Sequence, residues 1–398
     1  MRIAYVCADW GVPVFGRKGC SIHVQEVIRA FSRHNAQVEL FARSLGGDPP
    51  SGLETVRIHR LPVVPESERA AREQAALAGN PGLCTLLERS GPFDLVYERY
   101  SLWSFAGMEY ARAVGVPGLL EVNAPLIEEQ AEYRGLVDRA SAEQVAARVF
   151  DAATVLIAVS EEIAAYLERY PTTQGRVHVV PNGVNPDRFA ASPRPSCPGR
   201  PRTFTVGFVG SLKPWHGLPI LIEAFTVLHR RDPNIQLLIV GDGKEKERVS
   251  LMTELSVRGL LEAAHFTGMV TPSEVPGLLA SMDVAVAPYP NLPHFYFSPL
   301  KVYEYMAAGL PVVASRIGQL AELIQDGISG LFCLPGDPVT LAEALDRLRW
   351  EPELRTRLGQ VARATVLQDH TWDAVVRRIL QLAGVESVYH SARVEVRG

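Results

Sequence analysis

The chain has 398 residues, 47% of them hydrophobic and 21% charged. This composition is close to the globular average and excludes a disordered, collagenous or coiled-coil protein. At ~150 residues per domain the length favours two domains. Forty basic against 44 acidic residues leave a net charge of −4, whereas a nucleic-acid surface is strongly basic, so nucleic acid is not an expected partner.

Cys7, Cys20, Cys84, Cys197 and Cys333 are scattered, odd in number and without C-x-x-C spacing. Neither a disulfide framework nor a zinc cluster is expected, and reduced thiols in the cytoplasm are the plain reading. The first residues reach Asp9 and Gly11 before an apolar run can develop, unlike a secretory signal. The longest uncharged stretch, Val284–Leu300, holds Pro288, Pro290, Pro293 and Pro299, which excludes a membrane-spanning helix. Peripheral contact with a membrane surface is compatible with the sequence but not required.

Short apolar runs alternate with helical patterns, the signature of βαβ units and parallel sheets. In chain order, strands are predicted at Arg2–Ala8, Val38–Arg43, Thr55–Leu61, Leu95–Arg99, Gly118–Val122 and Thr154–Val159. A helix is predicted at Ser21–Arg33, where Ile22, Val24, Val27, Ile28 and Phe31 have helical spacing. Ala191–Arg202 breaks the pattern with four prolines, Pro193, Pro195, Pro198 and Pro201, and reads as a linker. The alternation restarts with strands at Thr203–Val209, Gln236–Val240, Ala264–Thr267, Val284–Ala287, Pro311–Ala314 and Gly330–Cys333. Helices follow at Pro219–His229 and Val339–Leu348, and an amphipathic helix closes the pattern at Trp372–Leu382. The expected domains are therefore 1–190, a linker 191–202, and 203–371. The last segment, 372–398, is expected to pack back on the first domain. Two doubly wound α/β domains would face a central cleft at the carboxyl ends of their strands.

The most informative stretch is Ser298–Ser315, SPLKVYEYMAAGLPVVAS. A proline-bearing loop opens a helix whose first amides and Lys301 form an anion site. One turn on, Glu304 can accept hydrogen bonds from a ribose diol. An ordinary capped helix with a solvated lysine and glutamate has the same spacing.

This stretch resembles the donor-binding core of the retaining GT-B glycosyltransferases, in particular glycosyltransferase family 4. Further segments agree in order: Val180–Asn185 (VPNGVN), Phe208–Gly217 (FVGSLKPWHG) with Leu221–Phe225, Val240–Gly243, Phe266–Val270, Asp326–Gly330, and the first βα loop Gly16–Ser21. The resemblance implies transfer of a sugar from a nucleoside diphosphate sugar, UDP ahead of GDP, to an acceptor hydroxyl. Configuration would be retained and no metal or other cofactor used. The base would contact the backbone at Gly268, Met269 and Val270, and the ribose Glu304. The diphosphate would meet Pro299, Leu300 and Lys301, with Tyr296, Phe297 and Ser298 completing the donor set. Gly19 and Cys20 would approach the diphosphate from the acceptor domain. The acceptor, a small molecule, glycan or lipid, is not identified.

Two departures stand out. Tyr296 occupies the place of the first of the family's two glutamates, and Ser211 and His216 stand where an arginine and a lysine usually bind the diphosphate. Lys213 and Lys301 are the nearby substitutes. The same fold could also serve an epimerase or hydrolase, or a non-catalytic nucleotide-sugar binder. Smaller signals have two readings each. His23 follows the glycine loop and is either a donor-sugar contact or a packing residue; its i, i+3 spacing with Glu26 alone does not make a metal site. Asn123 ends a strand and either points into the cleft or closes a turn. Tyr289, His294, Tyr296 and Phe297 either stack on a sugar or pack beneath the loop. Glu98 and Arg99 end a strand and either line the acceptor side or, the preferred reading, are solvated charges; Trp215 reads as packing.

Overall fold

The computed structural model describes residues 1–63, 68–189, 193–197, 199 and 202–385. It separates into two compact units. The first comprises Met1–Asn182, Tyr296–Ser298 and the chain from Trp372; the second comprises Gly183–Phe295 and Pro299–Thr371.

The first unit is built on a seven-stranded sheet: β1 (Arg2–Cys7), β2 (Gln37–Ala42), β3 (Arg57–Arg60), β4 (Leu95–Arg99), β5 (Gly118–Val122), β6 (Val155–Ala158) and β7 (Val177–Val179). Their order is β3-β2-β1-β4-β5-β6-β7, with every pair parallel. Helices cover both faces, so β1, β2 and β5 are buried almost throughout and read as apolar runs. β7 was not expected: its three residues, Val-His-Val, are only half-buried and make too short a run to mark a strand. Gly19 and Cys20 also differ from expectation. They form the first turn of the helix Gly19–Arg33, whose N-cap is Lys18, and are not part of a loop.

The last helix, Trp372–Leu382, belongs to this unit. It packs along Gly19–Arg33: the Trp372 and His23 rings meet edge-on at 5.0 Å, and Arg33 Nε donates to Asp373 Oδ1 at 2.8 Å. Residues 386–398 of the predicted final segment lie outside the described residues.

The second unit holds a six-stranded parallel sheet: β8 (Phe204–Val209), β9 (Ile235–Val240), β10 (Ala264–Phe266), β11 (Val284–Ala287), β12 (Val312–Ser315) and β13 (Leu331–Cys333), in the order β10-β9-β8-β11-β12-β13. Phe208, Leu221, Phe225, Ile239, Val286 and Leu345 are buried in one core. The units divide between Asn182 and Gly183, ahead of the predicted linker. The intervening Gly183–Phe189 is tied to the second unit: Val184 N donates to His370 O at 2.8 Å, and Arg363 Nη2 donates to Phe189 O at 3.1 Å. Within the predicted linker, residues 191, 192, 198, 200 and 201 lie outside the described residues, and the others form no helix or strand.

Candidate active site

In the second sheet the chain runs outward in opposite directions from β8 and β11. Loops leaving the carboxyl ends of two such strands diverge and leave a crevice, the place where open α/β sheets bind ligands. The loop after β8 folds back against the end of β11 by way of Gly217. This residue has φ +72°, and any Cβ there would overlap the carbonyl oxygen of Pro288. Only glycine allows that approach.

Lys301 reaches this point from the first turn of the helix Leu300–Ala307. Its Nζ lies 4.3 Å from the centroid of Phe208 and 5.6 Å from that of Tyr289. The atom is buried and has no hydrogen-bond partner among the described residues. A Cβ on Gly210, at φ +148°, would come within 2.9 Å of it. Burial pushes the lysine down to about 7, because a charge without a partner is costly where water is excluded. Pro299 caps the helix without any side-chain bond, leaving the amides of Leu300 and Lys301 outside the helix's own ladder.

His216 faces the same point. Its Nδ1 is 2.6 Å from the carbonyl oxygen of Ser211, which can only accept, so Nδ1 carries the proton. Burial, and then the positive charges of Lys301 and Lys213, push the ring down to about 3 against the pull of that bond. At neutral pH His216 is therefore an uncharged imidazole whose Nε2 keeps its lone pair. Ser211 serves through its carbonyl, and Lys213 lies 5.7 Å from the Trp215 ring.

Glu304 is held by Arg188, whose Nη1 donates to Oε1 at 2.6 Å while Nη2 donates to the Pro272 carbonyl at 2.9 Å. The sequence reading missed Arg188. It sits in the short 3₁₀ turn Pro186–Phe189 just after VPNGVN, and nothing local marks it as the partner of a residue 116 positions away. Gly268, at φ +69°, accepts from Gly241 N at 3.1 Å through its carbonyl. Next to it Met269 is 68% exposed, and Val270 is half-buried.

Tyr296, Phe297 and Ser298 are bonded within the first unit. Tyr296 OH donates to Glu129 Oε2 at 3.2 Å, and its carbonyl accepts from Ser160 Oγ at 3.0 Å. Burial, then Glu129, pushes this phenol up. The Tyr296 and Phe297 rings lie 4.4 Å apart. Asn182 spans Ser298, its backbone N donating to Oγ at 3.1 Å and its Nδ2 to the carbonyl at 2.8 Å. Stacking of Tyr289 on a sugar is corrected: at 2% exposure it packs against Phe295, 4.8 Å away.

His23 and Asn123 meet at Glu121 of β5. His23 Nε2 lies 2.9 Å from Oε2 and Arg99 Nη1 donates to Oε1 at 3.1 Å; Tyr97 OH and Asn123 Nδ2 donate as well. Burial alone would raise the carboxyl, but His23, Arg99 and Tyr97 outweigh it and hold it at about 2. At 3% exposure His23 is a core residue, not one open to a ligand.

Solvated roles for Glu98 and Arg99 are likewise corrected. The Arg99 side chain is only 13% exposed. Glu98 is fully buried, with Oε1 accepting from Ser104 Oγ at 2.5 Å. Burial, opposed by Ser104 and the Met108 amide, raises it to about 7. The folded state thus holds a proton that the unfolded chain releases at ~4.3, so stability falls as pH rises from there through 7. Glu98→Gln should abolish that fall and gain about 3 kcal/mol over the native chain at pH 8 but little at pH 4. Urea unfolding at the two pH values would show it; an equal gap at both would exclude a protonated Glu98.

Among the described residues no three of His, Cys, Asp and Glu gather closely enough to hold a metal, and no helix is long and apolar enough to cross a membrane.

Two family models tile the chain: the one described as Glycosyltransferase Family 4 matches residues 17–188, and the one described as Glycosyl transferases group 1 matches residues 203–349. The chain belongs to the family 4 glycosyltransferases. It is similar to the D-inositol 3-phosphate glycosyltransferase of Salinispora tropica, 26% identical over 94% of this chain and 83% of that one. The protein of the same name from Corynebacterium jeikeium is 27% identical over 86% of both chains. Among solved structures, sucrose-phosphate synthase from Thermosynechococcus elongatus superposes with a TM-score of 0.74 at 20% identity, over 98% of this chain and 100% of that one. Anabaena HepE in complex with UDP-glucose gives 0.72 at 18% identity, over 98% and 100%. These likenesses show the GT-B fold.

For this glycosyltransferase, the candidate site residues named from the sequence divide into two groups. Lys301, His216, Ser211, Glu304, Gly268, Met269, Val270, Pro299, Leu300 and Lys213 belong to the second unit, and the first four have the specific partners or surroundings described above. Gly19, Cys20, His23, Asn123, Tyr296, Phe297 and Ser298 belong to the first.

Proposed function

We propose that the enzyme transfers a sugar from a nucleoside diphosphate sugar, a UDP-sugar ahead of a GDP-sugar, to an acceptor hydroxyl, with retention and without a metal. The observation that carries this reading is the buried Lys301 side chain, without a hydrogen-bond partner among the described residues, beside the helix-start amides of Leu300 and Lys301 at the β8/β11 crevice. A cation and a helix start aimed at one point suit a leaving group whose oxygens gather negative charge. Glu304, braced by Arg188, is suited to the ribose diol. The HepE neighbour binds UDP-glucose, in line with a uridine donor.

In the proposed step a bond forms between the acceptor oxygen and the anomeric carbon while the bond from that carbon to the β-phosphate oxygen breaks. The electron pair of the broken bond leaves with the diphosphate. The acceptor proton passes to a diphosphate oxygen on the same face, which gives retention without a protein nucleophile. His23 and Asn123 act through Glu121, fixing the turn after β5.

The test is product analysis with UDP- and GDP-sugars, with and without an acceptor panel, in the presence of EDTA. Acceptor-dependent release of UDP with a retained anomer is the expected result. Release that needs no acceptor would replace transfer by hydrolysis, an inverted product would reject the same-face step, and loss of turnover in EDTA would reject metal independence.

A further inference from the structure

Arg188, in the 3₁₀ turn Pro186–Phe189, holds two elements of the second unit at once. Nη1 reaches Glu304 in the helix Leu300–Ala307, and Nη2 reaches the Pro272 carbonyl in the loop after β10. Both side chains of the ion pair are only 18% exposed, so solvent screens it less than a surface pair. A planar fork of donors sets direction as well as distance, which the point charge of a lysine does not.

Other bonds pin each element close by, so the arginine sets their separation. The loop after β10 is tied at its start, where the Gly268 carbonyl accepts from Gly241 N at 3.1 Å. Its turn is closed by Glu274, whose Oε2 accepts from Thr271 N at 2.7 Å. Arg363 joins the turn Pro186–Phe189 to the far end of the helix, donating from Nη1 to the Ala307 carbonyl and from Nη2 to that of Phe189 at 3.1 Å. Phe189 itself is buried. With Oε1 held by Arg188, the Glu304 carboxylate turns one fixed edge to a ligand. A carboxylate free to rotate would accept from any single hydroxyl, whereas a fixed one meets a diol in one orientation.

We infer that Arg188 is a positioning residue that makes the site selective for a nucleotide with an intact ribose diol. It does so by fixing Glu304, which receives the diol, at a set distance from the loop Gly268–Val270, which receives the base. This inference rests on the proposed nucleoside diphosphate donor, and the experiment separates the two.

The full chain is titrated by calorimetry with UDP, or GDP should that bind more tightly, with the 2′,3′-dideoxy form of the same nucleotide, and with pyrophosphate. The native chain should prefer the diol by at least about tenfold, because a site built to bond a hydroxyl rejects the analogue that lacks it. In Arg188→Met the affinity for the intact nucleotide should fall about tenfold while that for the dideoxy form changes little, so the preference collapses. Pyrophosphate carries no ribose and should bind this variant as it binds the native chain, which reports that the second unit is folded. Glu304→Gln should lose the same preference, and the double variant no more than either single one, because both residues act through one carboxylate. An equal loss for both nucleotides in Arg188→Met, additive losses in the double variant, or a native chain indifferent to the diol would overturn the inference. Loss of pyrophosphate binding in Arg188→Met would overturn it too, since the arginine would then serve folding alone. A native chain that bound pyrophosphate but neither UDP nor GDP would instead overturn the proposed donor, and this inference with it.

Discussion

Lys301→Met should lower kcat/KM by two to three orders of magnitude, about 3–4 kcal/mol of barrier, while making the unliganded protein more stable. The rate loss is the size expected for removing one preorganised group that meets charge developing on a leaving group. The stability gain follows from the lysine's surroundings, two aromatic rings and, among the described residues, no acceptor. Its folded value, about 7, lies below its ordinary value near 10.5. The folded state therefore binds fewer protons than the unfolded chain, and stability falls as pH drops from about 10.5 to about 7. At pH 7 the accumulated cost is roughly 4 kcal/mol, and methionine, with a similar stem and no charge, removes it. Urea unfolding should show the variant ahead at pH 7 and the gap closing by pH 10. A bound diphosphate supplies the missing counter-charge, so UDP binding at pH 8 should take up close to one proton in the native chain and none through this group in the variant. Calorimetry in buffers of different ionisation enthalpy reads that difference. Turnover within threefold of the native chain would remove Lys301 from the site.

This lysine was legible in the sequence because its signal is local: a proline-bearing loop, a helix start and a cation in the first turn lie within four residues. The sheets were legible for a related reason. Strands buried on both faces read as apolar runs, and Leu95–Arg99, Gly118–Val122 and Val284–Ala287 coincide with their predicted limits. What the sequence hid was pairing at a distance. Arg188 and Glu304 are separated by 116 residues and His23 and Glu121 by 98, and neither member of either pair carries a local mark of the other. Tyr296–Ser298 shows the same limit. Its sequence adjoins the phosphate loop, yet its hydrogen bonds run to Glu129, Ser160 and Asn182. Glu98 and Arg99 misled in the opposite direction, since two charges at a strand end ordinarily face water, and here Glu98 lies against Gly107 of the helix Ala106–Val114 while Arg99 pairs with Glu121.

Glu121→Gln should destabilise the first unit by about 3–5 kcal/mol, the cost typical of breaking a buried charge pair from one side. The carboxylate takes bonds from four side chains, His23, Tyr97, Arg99 and Asn123. An amide of the same shape offers one acceptor oxygen and turns two donors toward donors, leaving the Arg99 guanidinium buried beside an uncharged group. The pH dependence gives an independent check. With a folded value of about 2 against 4.5, the carboxyl contributes stability that is present above pH 4.5 and lost as pH falls through 2. That contribution, about 3 kcal/mol, should be absent from the variant. The native and variant chains should therefore converge on acidification, in contrast to Glu98→Gln, whose gap opens toward high pH. Arg99→Met in the Glu121→Gln background should recover part of the loss, because it removes the charge left without a partner. Were Glu121→Gln alone to cost less than 1 kcal/mol, the four-donor cluster would not be what holds β4, β5 and the helix Gly19–Arg33 in register.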